Sequence, residues 1–141
     1  MLRALALVLA LTTVASCSDQ GPKGGVDGTY DLVSENGKPL PADPNDVGGC
    51  CITLDGSLTL EGASYHLAIS YRNKNTSAEF MNTEDGTFSQ SGNTVTFVRT
   101  GGGGLGVPFL LGAGTVTEDQ LTVPYGDEGP GSNQIIAIFR R

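Results

Sequence analysis

The feature of this chain that most constrains its fold is a strict alternation of apolar and polar side chains over residues 65–72. Apolar side chains stand at every second position, at Tyr65, Leu67, Ile69 and Tyr71. Successive side chains of an extended strand point to opposite faces, so this pattern is typical of a half-buried antiparallel strand. Outside the first 16 residues, no stretch has the i, i+3, i+4, i+7 apolar spacing of an amphipathic helix.

Short runs of the same β type continue along the chain, and its 21 glycines separate many of them. Two similar hairpins are predicted, with turns at residues 91–93 and 118–119. Three prolines make residues 38–49 a long loop, and residues 101–106 are a glycine-rich loop. The resulting eight or nine antiparallel strands have mostly one apolar face, so they should curl and close. The predicted fold is all-β, an up-and-down barrel or a barrel-like sandwich.

Two strands carry more specific expectations. In the strand that starts at Cys50, parity places Ile52 and Leu54 on the apolar face and Thr53 on the opposite one. The last strand, residues 134–140, is apolar on both faces. It should therefore pair between two neighbours and be covered on both sides.

The N-terminus has the composition of an export signal. An apolar stretch over residues 2–14 carries Arg3 near its start and leads into Ala15-Ser16-Cys17. A bilayer span needs roughly 20 apolar residues, and this stretch is shorter. Its end resembles the lipobox of bacterial lipoproteins. The alternatives are an ordinary cleaved signal and a short anchor helix.

The lipoprotein resemblance implies three segments: a signal peptide over residues 1–16, a lipidated flexible linker over residues 17–27, and a β domain over residues 28–141. The lipid on Cys17, a diacylglycerol with a further acyl chain, would hold the protein in the membrane. Ser18 is not the aspartate that retains such proteins in the inner membrane. The implied location is therefore the cell envelope, at the outer membrane facing the periplasm.

The charge balance excludes some partners. The chain has eight Lys and Arg against 15 Asp and Glu, a formal net charge of −7. Nucleic acids and anionic headgroups are bound through basic patches, so an acidic chain is not expected to bind them.

Several stretches together resemble the small lipocalin-like (calycin-type) barrel domains of bacterial lipoproteins. They are residues 28–32, 36–41, 58–60, 71–72, 92–97 and 139–141. In that family an Arg from the end of the last strand covers an aromatic ring on the first. The resemblance therefore implies that the Arg140 guanidinium lies over the Tyr30 ring. The small barrel of periplasmic protease inhibitors, which also opens with a Gly-x-aromatic strand, is similar.

The inward-facing side chains are either a packed core or the wall of a pocket. A pocket lined by rings would suit a small apolar molecule or lipid, bound without catalysis. The ligand-binding candidates are Tyr30, Tyr65, Leu67, Ile69, Tyr71, Phe80 and Phe97. The alternative function is a protein-interaction or protease-inhibitor module, which predicts an exposed apolar patch near residues 38–49 or 101–109.

The remaining reactive residues offer little chemistry. Cys50 and Cys51 are adjacent, and three states are open: free thiols, a vicinal disulfide, or an intermolecular or metal bond through Cys51. His66 is the only histidine and faces outward. The sequence has no nucleophile–base pair and no metal-ligand cluster, so neither enzymatic activity nor a metal or cofactor is predicted.

Overall fold

The computed structural model describes residues 25–44, 49–102, 109–110, 112–126 and 134–141. These residues form strands and turns, and no helix among them is long and apolar enough to cross a membrane. The strands are β1 (Gly28–Glu35), β2 (Lys38–Pro39), β3 (Cys51–Glu61), β4 (Ser64–Asn73), β5 (Glu79–Ser91), β6 (Thr94–Gly102), β7 (Phe109–Leu110), β8 (Ala113–Thr117), β9 (Gln120–Gly126) and β10 (Ile135–Arg140).

Eight of these strands close into an antiparallel up-and-down barrel. The hydrogen-bonded order β1-β3-β4-β5-β6-β8-β9-β10 follows the chain, and β10 pairs back with β1. The two-residue strands β2 and β7 add to β1 and β9. The predicted all-β antiparallel barrel is confirmed. Closure matters because it leaves no long row of unpaired backbone groups at a sheet edge.

The two ends of the barrel differ in how strands are joined. At one end, two-residue turns at 62–63, 92–93 and 118–119 link neighbouring strands, and we call this the turn end. Gly62 and Gly92 have φ of 63° and 57°, a conformation that glycine adopts at no steric cost. At the opposite end, which we call the loop end, longer connections over residues 36–50, 103–112 and 127–134 join the strands.

The predicted alternation in β4 is confirmed. Tyr65, Leu67, Ile69 and Tyr71 are buried inside the barrel, while the residues between them are exposed or partly exposed. They belong to one apolar cluster that includes side chains from β1, β3, β5, β6, β8, β9 and β10.

Two β-bulges reverse the alternation near the loop end. In β1, Leu32 pairs with Phe139 and Ser34 with Ile138, so Val33 is an extra residue. The reversal brings Glu35 to the inner face.

In β3, Thr53 pairs with Tyr71 and Asp55 with Ser70, which leaves Leu54 as the extra residue. Thr53 is therefore buried and Leu54 only partly so. The predicted parity of this segment, with Leu54 inward and Thr53 outward, is wrong because the extra residue shifts the alternation by one position.

Other strand boundaries also differ from expectation. The turn-type residues 84–86 predict the end of a strand, but β5 continues through them. Gly86 makes room for the Tyr65 ring, because a Cβ atom at this position would clash with it. Gly101 and Gly102 extend β6 instead of forming a loop. β10 pairs between β9 and β1 as predicted, but its outer residue Ile136 is 40% exposed, so the expected cover on both sides is wrong.

Candidate functional site at the loop end

The inward-facing aromatic residues divide between the two ends of the barrel. Tyr30 lies at the turn end, where its hydroxyl donates a 2.8 Å hydrogen bond to the Val26 carbonyl. The Arg141 guanidinium lies over its ring, 5.1 Å from the centroid. The expectation that Arg140 would cover Tyr30 is wrong, because Arg140 alternates outward after the buried Phe139 and donates to Gln120 instead.

Tyr65 on β4 and Phe97 on β6 pack against each other inside the barrel. Their rings meet edge to face with centroids 5.3 Å apart. The Tyr65 hydroxyl donates a 2.6 Å hydrogen bond to the buried Glu84 carboxylate. Burial and this carboxylate raise the pKa of Tyr65, so its hydroxyl stays protonated and acts as the donor. Leu67 and Ile69 belong to the same packed cluster.

Tyr71 and Phe80 are at the loop end. Their rings stack with centroids 5.6 Å apart and an interplanar angle of 25°. Tyr71 is buried, whereas Phe80 is 39% exposed. The stacked pair therefore extends from the barrel interior to its surface.

A buried carboxylate lies next to this pair. Glu35 is 0% exposed, and burial raises its pKa to about 7. The Thr53 hydroxyl is near enough to the carboxylate to lower this pKa in smaller measure, although the two groups do not meet hydrogen-bond geometry. Burial raises the pKa of Tyr71, and the Glu35 charge raises it further. Tyr71 also pairs in register with Thr53, the other residue that a bulge turns inward.

Several polar atoms at this end have no hydrogen-bond partner in the part of the chain that the structure describes. They are both carboxylate oxygens of Glu35, the hydroxyls of Thr53 and Tyr125, Asp43 Oδ1 and the side-chain nitrogen of Asn82. Each buried polar atom left without a partner costs about 1–3 kcal/mol. Water or the polar group of a bound molecule would remove that cost. We call Glu35, Thr53, Tyr71, Phe80 and Tyr125 the Glu35 site.

The sequence did not identify all of this site. Tyr71 and Phe80 were among the candidates, but Glu35, Thr53 and Tyr125 were not. The alternation of Leu121, Val123 and Tyr125 in β9 would have indicated an inward Tyr125. Glu35 and Thr53 carry no such signal, because their bulges depend on pairing with other strands.

Cys50 and Cys51 form a vicinal disulfide at the start of β3, with Cα atoms 3.7 Å apart. Cys51 packs against the apolar core. Of the three states left open by the sequence, the structure has this one.

The outer face offers little further chemistry. His66 is exposed as predicted, and its Nδ1 lies 2.6 Å from an Asp85 carboxylate oxygen. Within the described ranges, no group of three or more His, Cys, Asp or Glu is arranged to hold a metal ion. Cys17, the predicted lipidation site, lies outside the described residues.

Comparison with known proteins finds no match for this chain among family models, curated proteins or solved structures.

Proposed function

We propose that the barrel binds a small, largely apolar molecule at its loop end, without catalysis. One observation carries the proposal: the Glu35 carboxylate and the Thr53 and Tyr125 hydroxyls are each buried on strand segments at the loop end, with no hydrogen-bond partner in the described residues. Three such groups at one end of a barrel are costly to stability. A bound molecule with a polar group would satisfy them.

The barrel around the Glu35 site favours a small ligand. An eight-stranded barrel has room for its own side chains or for one small ligand. Buried rings and aliphatic side chains pack against each other along the barrel, and Tyr71 and Tyr125 of the loop end belong to this cluster. At the loop end the stacked rings of Tyr71 and Phe80 continue it to the surface. Such rings suit the apolar part of a ligand.

We further propose that the protein is exported and anchored to the cell envelope by lipid on Cys17, facing the periplasm. The lipobox-like residues 14–17 are the main support. The Cys50–Cys51 disulfide agrees with an oxidising compartment, where such bonds persist. Metabolic labelling with a fatty-acid probe tests the anchor: the unaltered protein should take up label, and Cys17→Ser should not.

The protein-interaction or inhibitor function receives less support. It predicts an exposed apolar patch near residues 38–49 or 101–109. In the described part of the first stretch, Leu40 packs against the core and Ala42 is buried. Residues 103–108 of the second stretch lie outside the described residues, so that part of the prediction remains a prediction. We place small-molecule binding first because of the unpaired polar groups at the loop end.

The binding proposal can be tested by NMR titration of the full chain with 1-octanol. Amide resonances near Glu35, Thr53 and Tyr125 should shift in a saturable way, whereas those near Tyr30 and Phe139 should not. Shifts confined to the turn end, or no saturable shifts at all, would refute a binding site at the loop end.

A further inference from the structure

We infer that the molecule bound at the Glu35 site carries an amine, whose ammonium group pairs with the Glu35 carboxylate. The inference rests on the proposed function and specifies the chemical class of its ligand.

The geometry at Glu35 calls for hydrogen-bond donors. The β1 bulge turns this side chain to the inner face, where it is fully enclosed, and neither carboxylate oxygen has a partner in the described residues. An ionised carboxylate can only accept hydrogen bonds, so its occupant must donate them. An ammonium group supplies up to three donors and the opposite charge, which makes these hydrogen bonds stronger than neutral ones.

The basic side chains near this end have other contacts. Arg72 binds Glu79 on the outer face, with its Nη2 2.7 Å from a carboxylate oxygen. Lys74 forms an ion pair with Asp43, and Lys38 donates to the Asp43 carbonyl. A cation that compensates the Glu35 charge would therefore come from the ligand.

The remaining groups of the site also favour a cation. The hydroxyls of Thr53 and Tyr125 can accept the ammonium N–H groups that Glu35 does not use. The Tyr71 and Phe80 rings can attract positive charge at their faces and cover an attached apolar chain. A protein of net charge −7 also attracts cations and repels anions over a longer range.

A series of probes with one chain length separates the possible ligand classes. We would measure binding of 1-octylamine, 1-octanol and octanoate to the full chain by isothermal titration calorimetry at pH 8, where the Glu35 carboxylate is largely ionised. Octylamine should bind at least about tenfold more tightly than octanol, because only the amine brings a charge. Octanoate should bind most weakly, because it places a second negative charge beside Glu35.

A matched pair of variants assigns the preference to Glu35. Glu35→Gln removes the charge and nearly keeps the shape, so it should abolish the preference for octylamine over octanol. Glu61→Gln, at an exposed carboxylate on the turn end of β3, should leave that preference unchanged.

Lowering the pH from 8 to 6 should weaken octylamine binding several-fold, because Glu35 gains a proton. Tyr71 on β4 also lies at this end, and burial and the Glu35 charge raise its pKa, so its hydroxyl stays protonated over this interval. The nearby charged groups are Lys38, which pairs with Glu35 in register, and the ion pair of Lys74 with Asp43.

The results distinguish a failure of the amine inference from a failure of the proposed binding function. Equal binding of octylamine and octanol, or an amine preference that survives Glu35→Gln, would overturn the amine while leaving apolar binding in place. Failure of all three probes to bind would overturn the proposed function itself. The comparison of probes on the unaltered protein decides the question even where the variant folds poorly.

Discussion

At the turn end of the barrel the buried Tyr30 hydroxyl donates to the Val26 carbonyl, whereas at the loop end the buried Tyr125 hydroxyl has no partner in the described residues. Both tyrosines are 0% exposed. The same side chain in the same kind of enclosure is thus satisfied at one end and unsatisfied at the other. The paired hydroxyl of the turn end therefore contributes to stability, whereas the unpaired one at the loop end is open to the ligand that we propose.

The connections between strands explain this difference. At the turn end, residues 25–27 lead into β1 and bring a backbone carbonyl close to the barrel interior. The Val26 carbonyl is the one that accepts the Tyr30 hydrogen bond. At the loop end, bulges in β1 and β3 rotate Glu35 and Thr53 inward, and no described backbone group meets their polar atoms. Four pairs of changes test this comparison.

The largest difference is expected from removing one Phe ring at each end. Phe139→Ala at the turn end should lower the free energy of unfolding by about 3–5 kcal/mol, because the ring is fully buried. Phe80→Ala at the loop end should cost only about 1 kcal/mol, since that ring is partly exposed and its main loss is the stack with Tyr71. Urea denaturation measures both, and equal losses would contradict the division of roles.

The second difference concerns pH. The Glu35 carboxyl has a pKa of about 7 in the folded state against 4.5 in the unfolded chain, so the folded state holds a proton that the unfolded chain releases. The free energy of unfolding should therefore fall as pH rises from about 4.5 to 7, by on the order of 3 kcal/mol. Glu35→Gln should flatten this dependence.

Urea denaturation at pH 5 and pH 8 gives the measurement for Glu35, with Glu61→Gln as the control at the turn end. The control should retain the slope of the unaltered protein. A slope that persists in Glu35→Gln would show that another group is responsible for it.

A smaller effect is expected from removing single hydroxyl groups. Tyr30→Phe should cost about 1 kcal/mol, because it breaks a buried hydrogen bond and leaves the Val26 carbonyl without it. Tyr125→Phe should leave the free energy of unfolding unchanged or raise it slightly. A loss of about 1 kcal/mol in Tyr125→Phe as well would mean that ordered water already satisfies this hydroxyl.

The smallest effect is expected at the two C-terminal arginines. Arg141→Ala removes the guanidinium from the Tyr30 ring and from the Asp27 and Glu118 carbonyls, and should cost about 0.5–1 kcal/mol. Arg140→Ala changes only an exposed contact with Gln120 and should be nearly neutral. Thermal unfolding of the two variants under one set of conditions compares them, and the reverse order would refute the cover over Tyr30.

The barrel itself was predictable from local patterns. The alternation at Tyr65–Tyr71 predicts one strand, and Gly92-Asn93 predicts a turn. Several such strands with one apolar face bury that face and pair their edges when the sheet closes into a barrel. Of the residues in the Glu35 site, only the aromatic residues Tyr71, Phe80 and Tyr125 were predictable from the sequence. Glu35 and Thr53 face inward because Val33 and Leu54 are extra residues against their neighbouring strands, and no local pattern shows an unmatched residue.

The choice between Arg140 and Arg141 has the same origin. Both follow Phe139 in the sequence. Phe139 faces inward, so Arg140 faces outward, and Arg141 lies beyond the last residue of β10 that pairs with β9, where its guanidinium covers Tyr30. A change of one residue in register would exchange their roles. Long-range pairing therefore decides details that the sequence leaves open.

The described chain enters the barrel beside the turn end, where Val26 is buried against Tyr30. No more than roughly 28 Å of extended chain separates Cys17 from Gly25. With the lipid that we propose on Cys17, this short tether would hold the turn end toward the membrane and direct the opposite mouth into the aqueous compartment. A ligand would then arrive by diffusion through water instead of by lateral exit from the bilayer.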